Sequence, residues 1–168
     1  SAPYIADSAL EKLLNLWGRV KQEFSGDRYE EITSALTTLH AGDWISRIPE
    51  KAEGSINIRF PHPYTSKNVL ERLENYVRES GCEMEVVDVT EPVVTSLNSL
   101  AVRGLQRAML RMGHRPRIVK KTGTSDMNTL VAVTGNIAAC GPGDSTLAHT
   151  DYEAVEINDL ITAAKIYA

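Results

Sequence analysis

The order of helices and strands along this chain predicts an α/β protein in two parts. The first ninety residues alternate as helix, strand, strand, helix and strand, the order of a small α+β layer. After Glu91-Pro92, helices alternate with short apolar strands, which is typical of a mostly parallel sheet. We therefore predict one part over residues 1–91 and another over residues 92–168. Two short strands cannot make a doubly wound sheet, so the second part either lacks strands or receives them from a partner.

The first three elements follow from hydrophobic periodicity. Apolar side chains recur every three or four residues over 7–24, which predicts a helix with Asp7 as its N-cap and Gly26 just past its end. Residues 31–40 are rich in threonine and alternate loosely, which suits a strand. Residues 55–60 alternate cleanly and predict a second strand.

A second helix and a third strand complete the first part. Asn68 and Glu71, three residues apart, resemble a capping box at the start of the helix, and Gly81 ends it. Residues 82–89 alternate again between apolar and polar side chains, which predicts a strand.

The second part contains two longer helices and two short strands. We predict the helices over residues 99–112 and 155–167, and the strands over residues 117–120 and 136–140. A Gly/Thr/Ser loop that turns into a short helix lies between the two strands.

Composition excludes several classes of protein. Eighteen basic and 22 acidic residues give a net charge of −4 without a long run of either sign, which argues against a nucleic-acid binder. The apolar stretches are shorter than the roughly 20 residues that cross a membrane. Two distant cysteines, Cys82 and Cys140, form neither a disulfide framework nor a zinc knuckle. No signal peptide precedes the first helix, so we expect a soluble, reduced, cytoplasmic protein.

The loop at residues 121–126 is the first candidate binding site. Gly123, Thr124 and Ser125 lie at the start of a predicted helix, where backbone N–H groups and hydroxyls favour a carboxylate or phosphate. The alternative is that Ser125 or Asp126 merely caps the helix. The spacing excludes a phosphate-binding P-loop.

The loop at residues 141–153 is the second candidate. It follows an apolar strand and contains His149, whose neutral imidazole is the commonest transition-metal ligand. The alternative is a loop histidine bonded within its own turn. Asp144, Asp151 and Glu153 nearby are either hydrogen-bonding partners of a metal ligand or solvated charges.

Arg59 is the third candidate. It lies beside Asn57 on the polar side of an alternating strand, where a guanidinium can hold a carboxylate through two hydrogen bonds. The alternative is an exposed arginine on the solvent face of the sheet. No nucleophile motif occurs near any of these candidates.

Two motifs in the second part carry a family resemblance. GTSDMN at 123–128 and GPGDSTLAHTDYE at 141–153 resemble C-terminal motifs of the di-zinc amidohydrolases and exopeptidases. This family includes acetylornithine deacetylase, succinyl-diaminopimelate desuccinylase, carboxypeptidase G and the lysine/ornithine hydrolases that use an amino-group carrier protein. Asn128, where desuccinylases usually place arginine, is most similar to the last group.

The first part is similar to the lid domain of the same family. The resemblance rests on Ser-Ala-Pro at 1–3, Ile48-Pro49 and the strand that ends at Arg59, whereas Ser46 stands where the family often has asparagine. It implies a ferredoxin-like lid/dimerisation domain over residues 1–91, followed by the C-terminal part of an α/β zinc-peptidase catalytic domain over residues 92–168.

The resemblance also implies site residues and partners. His149 matches the last zinc ligand, and cobalt is the alternative metal. Arg59 and the loop Gly123, Thr124 and Ser125 match positions that hold the substrate's carboxylate. The remaining metal ligands and the catalytic glutamate belong to an N-terminal segment of the family, so we assign no catalytic residue here and expect the chain to be inactive alone.

The resemblance implies the substrate as well. It is lysine or ornithine in an N-acyl or carrier-protein-linked form, used in amino-acid biosynthesis. Two chains would pair as a homodimer through the lid, without nucleic acid or membrane. The alternative is a non-catalytic dimerisation or binding module on the same scaffold.

Overall fold

The structure, a computed structural model, describes residues 7–121 and 123–168. The chain divides into two compact units, Ser1–Pro92 and Val93–Ala168, called unit 1 and unit 2 below. The Ser-Ala-Pro segment at 1–3 and Thr122 of the Gly/Thr/Ser loop lie outside the described residues.

Unit 1 begins with helix α1, Ala9–Glu23, as the apolar periodicity predicts. The predicted N-cap was wrong by one residue. Ser8 has the extended backbone that a cap requires, and its hydroxyl accepts a hydrogen bond from the Glu11 N–H at 3.3 Å. The Asp7 carboxylate instead forms an ion pair with Lys12.

Two antiparallel strands follow, which confirms both predicted strands. Strand β1, Thr33–Ala41, pairs with β2, Ala52–Arg59, so that Thr33 lies opposite Arg59 and Ala41 opposite Ala52. The register shifts between Leu36 and Thr38, which marks a bulge in β1. This register places Arg59 at the end of the hairpin that lies furthest from its turn.

Helix α2, Ser66–Glu79, begins earlier than the sequence predicts. Thr65 is the N-cap, and it forms a capping box with Asn68, whose side-chain oxygen accepts the Thr65 N–H at 3.3 Å. Asn68 is therefore the inner partner of the box, and the expected partner Glu71 takes no part. The Glu91 carboxylate also accepts the Ser66 N–H, at 3.2 Å, so a second N-terminal donor is satisfied.

The core of unit 1 lies where the two helices cover the sheet. Six buried apolar side chains form it, and Val20 and Phe24 are 0% and 1% exposed. The full set is Leu16, Val20, Phe24, Ile32, Val69 and Leu73. Because a two-stranded sheet is marginal by itself in water, its packing against α1, which in turn packs on α2, stabilises the hairpin.

An ionic network joins the exposed edges of α1 and α2. Glu23 accepts hydrogen bonds from Arg72 Nη1 and Tyr76 Oη, each at 3.0 Å. Arg19 pairs with Glu79 and stacks 4.8 Å from the centre of the Tyr76 ring. Desolvation, and then the Glu23 contact, raise the pKa of Tyr76.

Three predicted strands were wrong. Residues 82–89, 117–120 and 136–140 have no regular secondary structure, and in the described residues the sheet consists of β1 and β2. An alternating apolar pattern becomes a strand only when a neighbour supplies a hydrogen-bonding ladder, and none does here. Val87, in the first of these segments, is accordingly 92% exposed.

Unit 2 consists of short helices joined by loops. Both longer predicted helices are confirmed as α3, Leu100–Arg111, and α5, Ile157–Tyr167, which contact each other. Between them lie the single-turn helix α4, Met127–Leu130, and a 3₁₀ turn, Ser145–Leu147. None of the described residues of unit 2 is buried, so its helices share no apolar core.

Polar contacts join distant parts of unit 2. Tyr167 Oη donates to the Cys140 carbonyl at 2.5 Å, and the Ala101 N–H donates to Asn136 Oδ1 at 2.8 Å. Within residues 7–121 and 123–168, every helix is too short or too polar to span a bilayer.

The buried position of Phe24 gives a stability prediction. Phe24→Ala should lower the free energy of unfolding of unit 1 by about 3–5 kcal/mol, because it leaves a cavity beneath α1. Urea denaturation followed by tryptophan fluorescence measures this, since both tryptophans, Trp17 and Trp44, belong to unit 1.

Val87→Ala is the matched control in the same unit. Its side chain is almost fully exposed, so the free energy of unfolding should change by less than about 0.5 kcal/mol. Equal destabilisation by the two variants would show that the core assigned to unit 1 is wrong.

Candidate functional site

Arg59 occupies the last position of β2 in unit 1 and is exposed. Its Nε donates to Asn57 Oδ1 at 3.4 Å, a long and therefore weak hydrogen bond. Within the described residues no acidic side chain pairs with Arg59. The two terminal nitrogens are thus accessible to a carboxylate, and the substrate role of Arg59 stays a prediction.

The Gly123–Ser125 loop in unit 2 is exposed around Thr124 and Ser125 and leads into α4. The Ser125 N–H donates to Asn128 Oδ1, and the Asn128 N–H donates to the Ser125 carbonyl, both at 2.9 Å. The Ser125 N–H therefore already has an acceptor inside the loop. The hydroxyls of Thr124 and Ser125 remain as exposed polar groups that could contact a carboxylate.

The expectation that Asp126 caps this helix was wrong. Asp126 holds the N-cap position, but its carboxylate makes no capping hydrogen bond. Its backbone is already helical, at φ −56° and ψ −19°, whereas capping side chains usually project from an extended residue. Asn128 satisfies the loop instead, a contact that the sequence analysis did not identify.

Asp144 closes the first turn of the 141–153 loop. Its Oδ1 accepts the Thr146 N–H at 2.9 Å and the Thr146 hydroxyl at 2.7 Å, which caps the 3₁₀ turn. The backbone N–H is the largest cause, and the hydroxyl the next, of a pKa for Asp144 below its ordinary value of 3.8. Arg117 lowers the pKa further by its charge.

His149 lies on the exposed surface of the same loop with a left-handed backbone, at φ +65°. Its backbone N–H donates to Glu153 Oε2 at 3.0 Å. The imidazole itself forms no hydrogen bond with the described residues. The sequence offered two alternatives for His149, a metal ligand or a histidine bonded within its own turn. The backbone of His149 is bonded within its turn, and its ring has no hydrogen bond that would prevent it from binding a ligand.

The described residues, 7–121 and 123–168, contain no group of three His, Cys, Asp or Glu side chains that could hold a metal ion. A neutral, accessible imidazole fits one position of a zinc site, but a structural site needs four ligands and a catalytic site three. His149 is thus suited to be a single ligand within a larger donor set.

The predicted site residues divide between the two units. Arg59 belongs to unit 1, whereas Gly123, Thr124, Ser125 and His149 belong to unit 2. A surface cavity of about 290 Å³ in unit 1, lined by Glu23, Glu31, Tyr64 and Arg72 among others, contains none of them.

Comparison with known proteins gives a family match and close relatives. Residues 1–84 match the peptidase dimerisation domain of the M20 peptidases, M20_dimer. The LysW-lysine/LysW-ornithine hydrolase of Saccharolobus solfataricus is 34% identical over 141 residues, which cover 84% of this chain and 40% of that protein. A Pyrobaculum aerophilum protein provisionally given the same name is 34% identical over 162 residues, which cover 96% of this chain and 46% of that protein. The chain spans less than half the length of these relatives.

Two solved structures share the fold. An M20 family metallo-carboxypeptidase from Sulfolobus solfataricus superposes with a TM-score of 0.64 at 18% identity, over 96% of this chain and 44% of that one. The aminopeptidase PepT from Bacillus cereus superposes with a TM-score of 0.66 at 16% identity, over 99% of this chain and 45% of that one. These likenesses confirm the α/β fold class.

The Asp144 cap gives a pH prediction. The pKa of Asp144 is lower in the folded loop than its ordinary value of 3.8. The ionised cap therefore stabilises the loop at pH values above 3.8, and this stabilisation is lost as the pH falls through the folded-state pKa. In an NMR titration, the Thr146 amide resonance should therefore shift with a midpoint below 3.8, and Asp144→Asn should abolish that titration. A midpoint at or above 3.8 would contradict the capping contact.

Proposed function

We propose that this chain, which belongs to the M20 peptidase family, forms part of a metal-dependent hydrolase. The proposed reaction releases lysine or ornithine from a carrier-linked or other N-acyl form. Hydrolysis is the activity in the names of its relatives, and LysW-linked lysine and ornithine are the substrates in those names. The observation that carries the proposal is the exposed His149, whose imidazole is free while its backbone is held inside the loop.

The proposed division of labour follows the two units. Residues 1–91 serve as the lid/dimerisation domain, which is supported by the family match over residues 1–84. Residues 92–168 serve as the C-terminal part of the catalytic domain. The absence of buried side chains among the described residues of unit 2 supports this assignment, because helices α3 and α5 need further apolar surface to cover them. On this proposal the chain is inactive alone.

The metal is proposed to be zinc, with cobalt as the alternative, and His149 to be one of its ligands. Neutral imidazole suits zinc, and because the described residues contain no group of three ligands, the proposal requires further ligands from elsewhere in the protein. Metal ions bound there would supply Lewis-acid activation of water and of the amide carbonyl. The role of this chain is to present the imidazole at a fixed position.

Arg59 of unit 1 and the Gly123–Ser125 loop of unit 2 are each proposed, separately, as a contact for a substrate carboxylate. The free nitrogens of the guanidinium match the spacing of two carboxylate oxygens, which gives direction as well as affinity. The hydroxyls of Thr124 and Ser125 can donate one further hydrogen bond each. Either contact would orient a bound substrate.

The same family membership supports a cytoplasmic homodimer. Both cysteines, Cys82 and Cys140, are free thiols, which fits a reducing compartment. A non-catalytic dimerisation module is the second candidate function. It is favoured by the match to a dimerisation domain and by the incomplete donor set in the described residues.

Two substitutions separate the proposed roles in a protein that also carries the remaining ligands. Arg59→Ala should raise KM about 10- to 100-fold and leave the metal bound, because it removes a charge-assisted pair of about 1.5–3 kcal/mol. His149→Ala should remove one metal ion and lower kcat far more. Metal analysis and steady-state kinetics on an N-acyl or carrier-linked lysine measure both effects.

Arg28→Ala is the control for Arg59, since Arg28 is an exposed arginine whose ion pair with Asp27 spans 3.7 Å. It should change neither KM nor metal content. Loss of metal in Arg59→Ala, or a full metal complement and normal turnover in His149→Ala, would show that the proposed roles are wrong. Metal binding without hydrolysis would favour the non-catalytic module.

Pairing of two chains is a separate prediction. At roughly tens of micromolar, light scattering should give twice the 18.5 kDa mass of the chain, because exposed strand edges tend to pair and most oligomers are symmetric dimers. A monomer at every concentration up to that range would contradict the proposed homodimer.

A further inference from the structure

The loop around His149 holds an unfavourable backbone conformation. At φ +65°, His149 lies in the left-handed region, which is cheap for a glycine such as Gly143 but costly for a residue with a Cβ atom. Histidine adopts this region more often than most residues, yet it needs surrounding contacts that enforce it.

Hydrogen bonds enclose His149 on both sides. The Thr150 N–H donates to the Leu147 carbonyl at 3.1 Å, and the Thr150 hydroxyl donates to the same carbonyl at 2.7 Å. The Glu153 N–H donates to the Thr150 carbonyl at 3.1 Å. These hydrogen bonds bend the chain, but none of them has the His149 backbone N–H or carbonyl as a partner. The His149 N–H instead donates to the side chain of Glu153, to Oε2 at 3.0 Å.

We propose that Glu153 is a positioning residue that fixes the direction in which the His149 imidazole leaves the loop. The inference rests on the proposed role of His149 as a metal ligand. Rotation about the N–Cα bond swings the Cα–Cβ bond relative to the preceding peptide, so φ sets the direction in which the side chain leaves the backbone. The bond to Glu153 holds the His149 N–H, and with it the peptide from which the Cα–Cβ bond projects.

Glu153 acts as a hydrogen-bond acceptor and not as a charge. Its side chain is exposed, so water screens its carboxylate, whereas a bond of 3.0 Å depends on the length of the side chain. Glutamine offers an amide oxygen at the same reach and should replace it. Aspartate is shorter by one methylene group and should not.

The chain contains a matched control for this contact. In unit 1 the Asp27 N–H donates to Glu31 Oε2 at 2.9 Å, the same four-residue arrangement in a turn without a proposed ligand. Glu31→Ala therefore removes the same type of bond without touching His149. Asp151→Ala is the control for loss of charge beside His149.

NMR on the isotope-labelled 168-residue chain tests the local effect. In wild type and Glu153→Gln, His149 should give the strong intraresidue amide–Hα cross-peak of a left-handed backbone. In Glu153→Ala and Glu153→Asp this peak should weaken, and the His149 amide should exchange with solvent about 10-fold faster or more, since it loses its acceptor. The Thr146 amide, which Asp144 holds, is the reference that should stay unchanged.

Metal affinity tests the functional effect in a protein that carries the remaining ligands. Glu153→Ala should weaken zinc binding by about 10- to 100-fold, the usual effect of removing a group that orients a ligand. Glu153→Gln, Asp151→Ala and Glu31→Ala should stay near wild type.

Two outcomes separate this inference from the proposed function. An unchanged His149 cross-peak and amide exchange rate in Glu153→Ala would overturn the positioning role. If Glu153→Ala alters the loop as expected but both it and His149→Ala retain all the zinc, the ligand role of His149 fails while the control of its backbone by Glu153 is upheld.

Discussion

Burial of the apolar stripe of α1 between α2 and the sheet is the constraint on which unit 1 depends. Val20 and Phe24 lie almost completely out of water, and Leu16 completes the stripe one turn before Val20. Each such side chain contributes about 1.5–3 kcal/mol when buried. The β1–β2 hairpin gains its stability from this contact, so the position of Arg59 at the end of β2 depends on residues that lie far from it in sequence.

The two units keep their candidate site residues in place by different means. In unit 1 an apolar core fixes the strand that presents Arg59, and the network around Glu23 reinforces the packing of α1 on α2. In unit 2 the described residues share no buried core, and side-chain hydrogen bonds shape the loops instead. Asp144, Asn128 and Glu153 each bond to a backbone N–H within four residues of their own position.

This difference has a functional consequence. Local hydrogen bonds hold the backbone around His149 without a buried core, so on the proposed role they would present its imidazole in advance of a metal ion. Preorganisation of this kind lowers the cost of binding. The exposed apolar side chains of α3 and α5, by contrast, need additional protein surface, which agrees with relatives more than twice as long as this chain.

Part of the fold could be predicted from the sequence because helices and hairpins are local. The 3.6-residue period defined α1, α3 and α5, and alternation defined β1 and β2. The helix starts were less well predicted, since Ser8 and Thr65 cap where Asp7 and Asn68 were expected. Which of several adjacent polar residues becomes the cap depends on backbone dihedrals that the residue types alone do not fix.

The sequence by itself determined the family, the fold class, and the identity of the candidate residues Arg59 and His149. Only the tertiary structure decided which apolar segments become strands, because residues 82–89 have the pattern of a strand but find no ladder partner among the described residues. It also decided that Asn128 occupies the Ser125 N–H and that Glu153 holds the backbone of His149. Strand pairing and side-chain reach depend on distances in space, and a pattern along one chain records only distances in sequence.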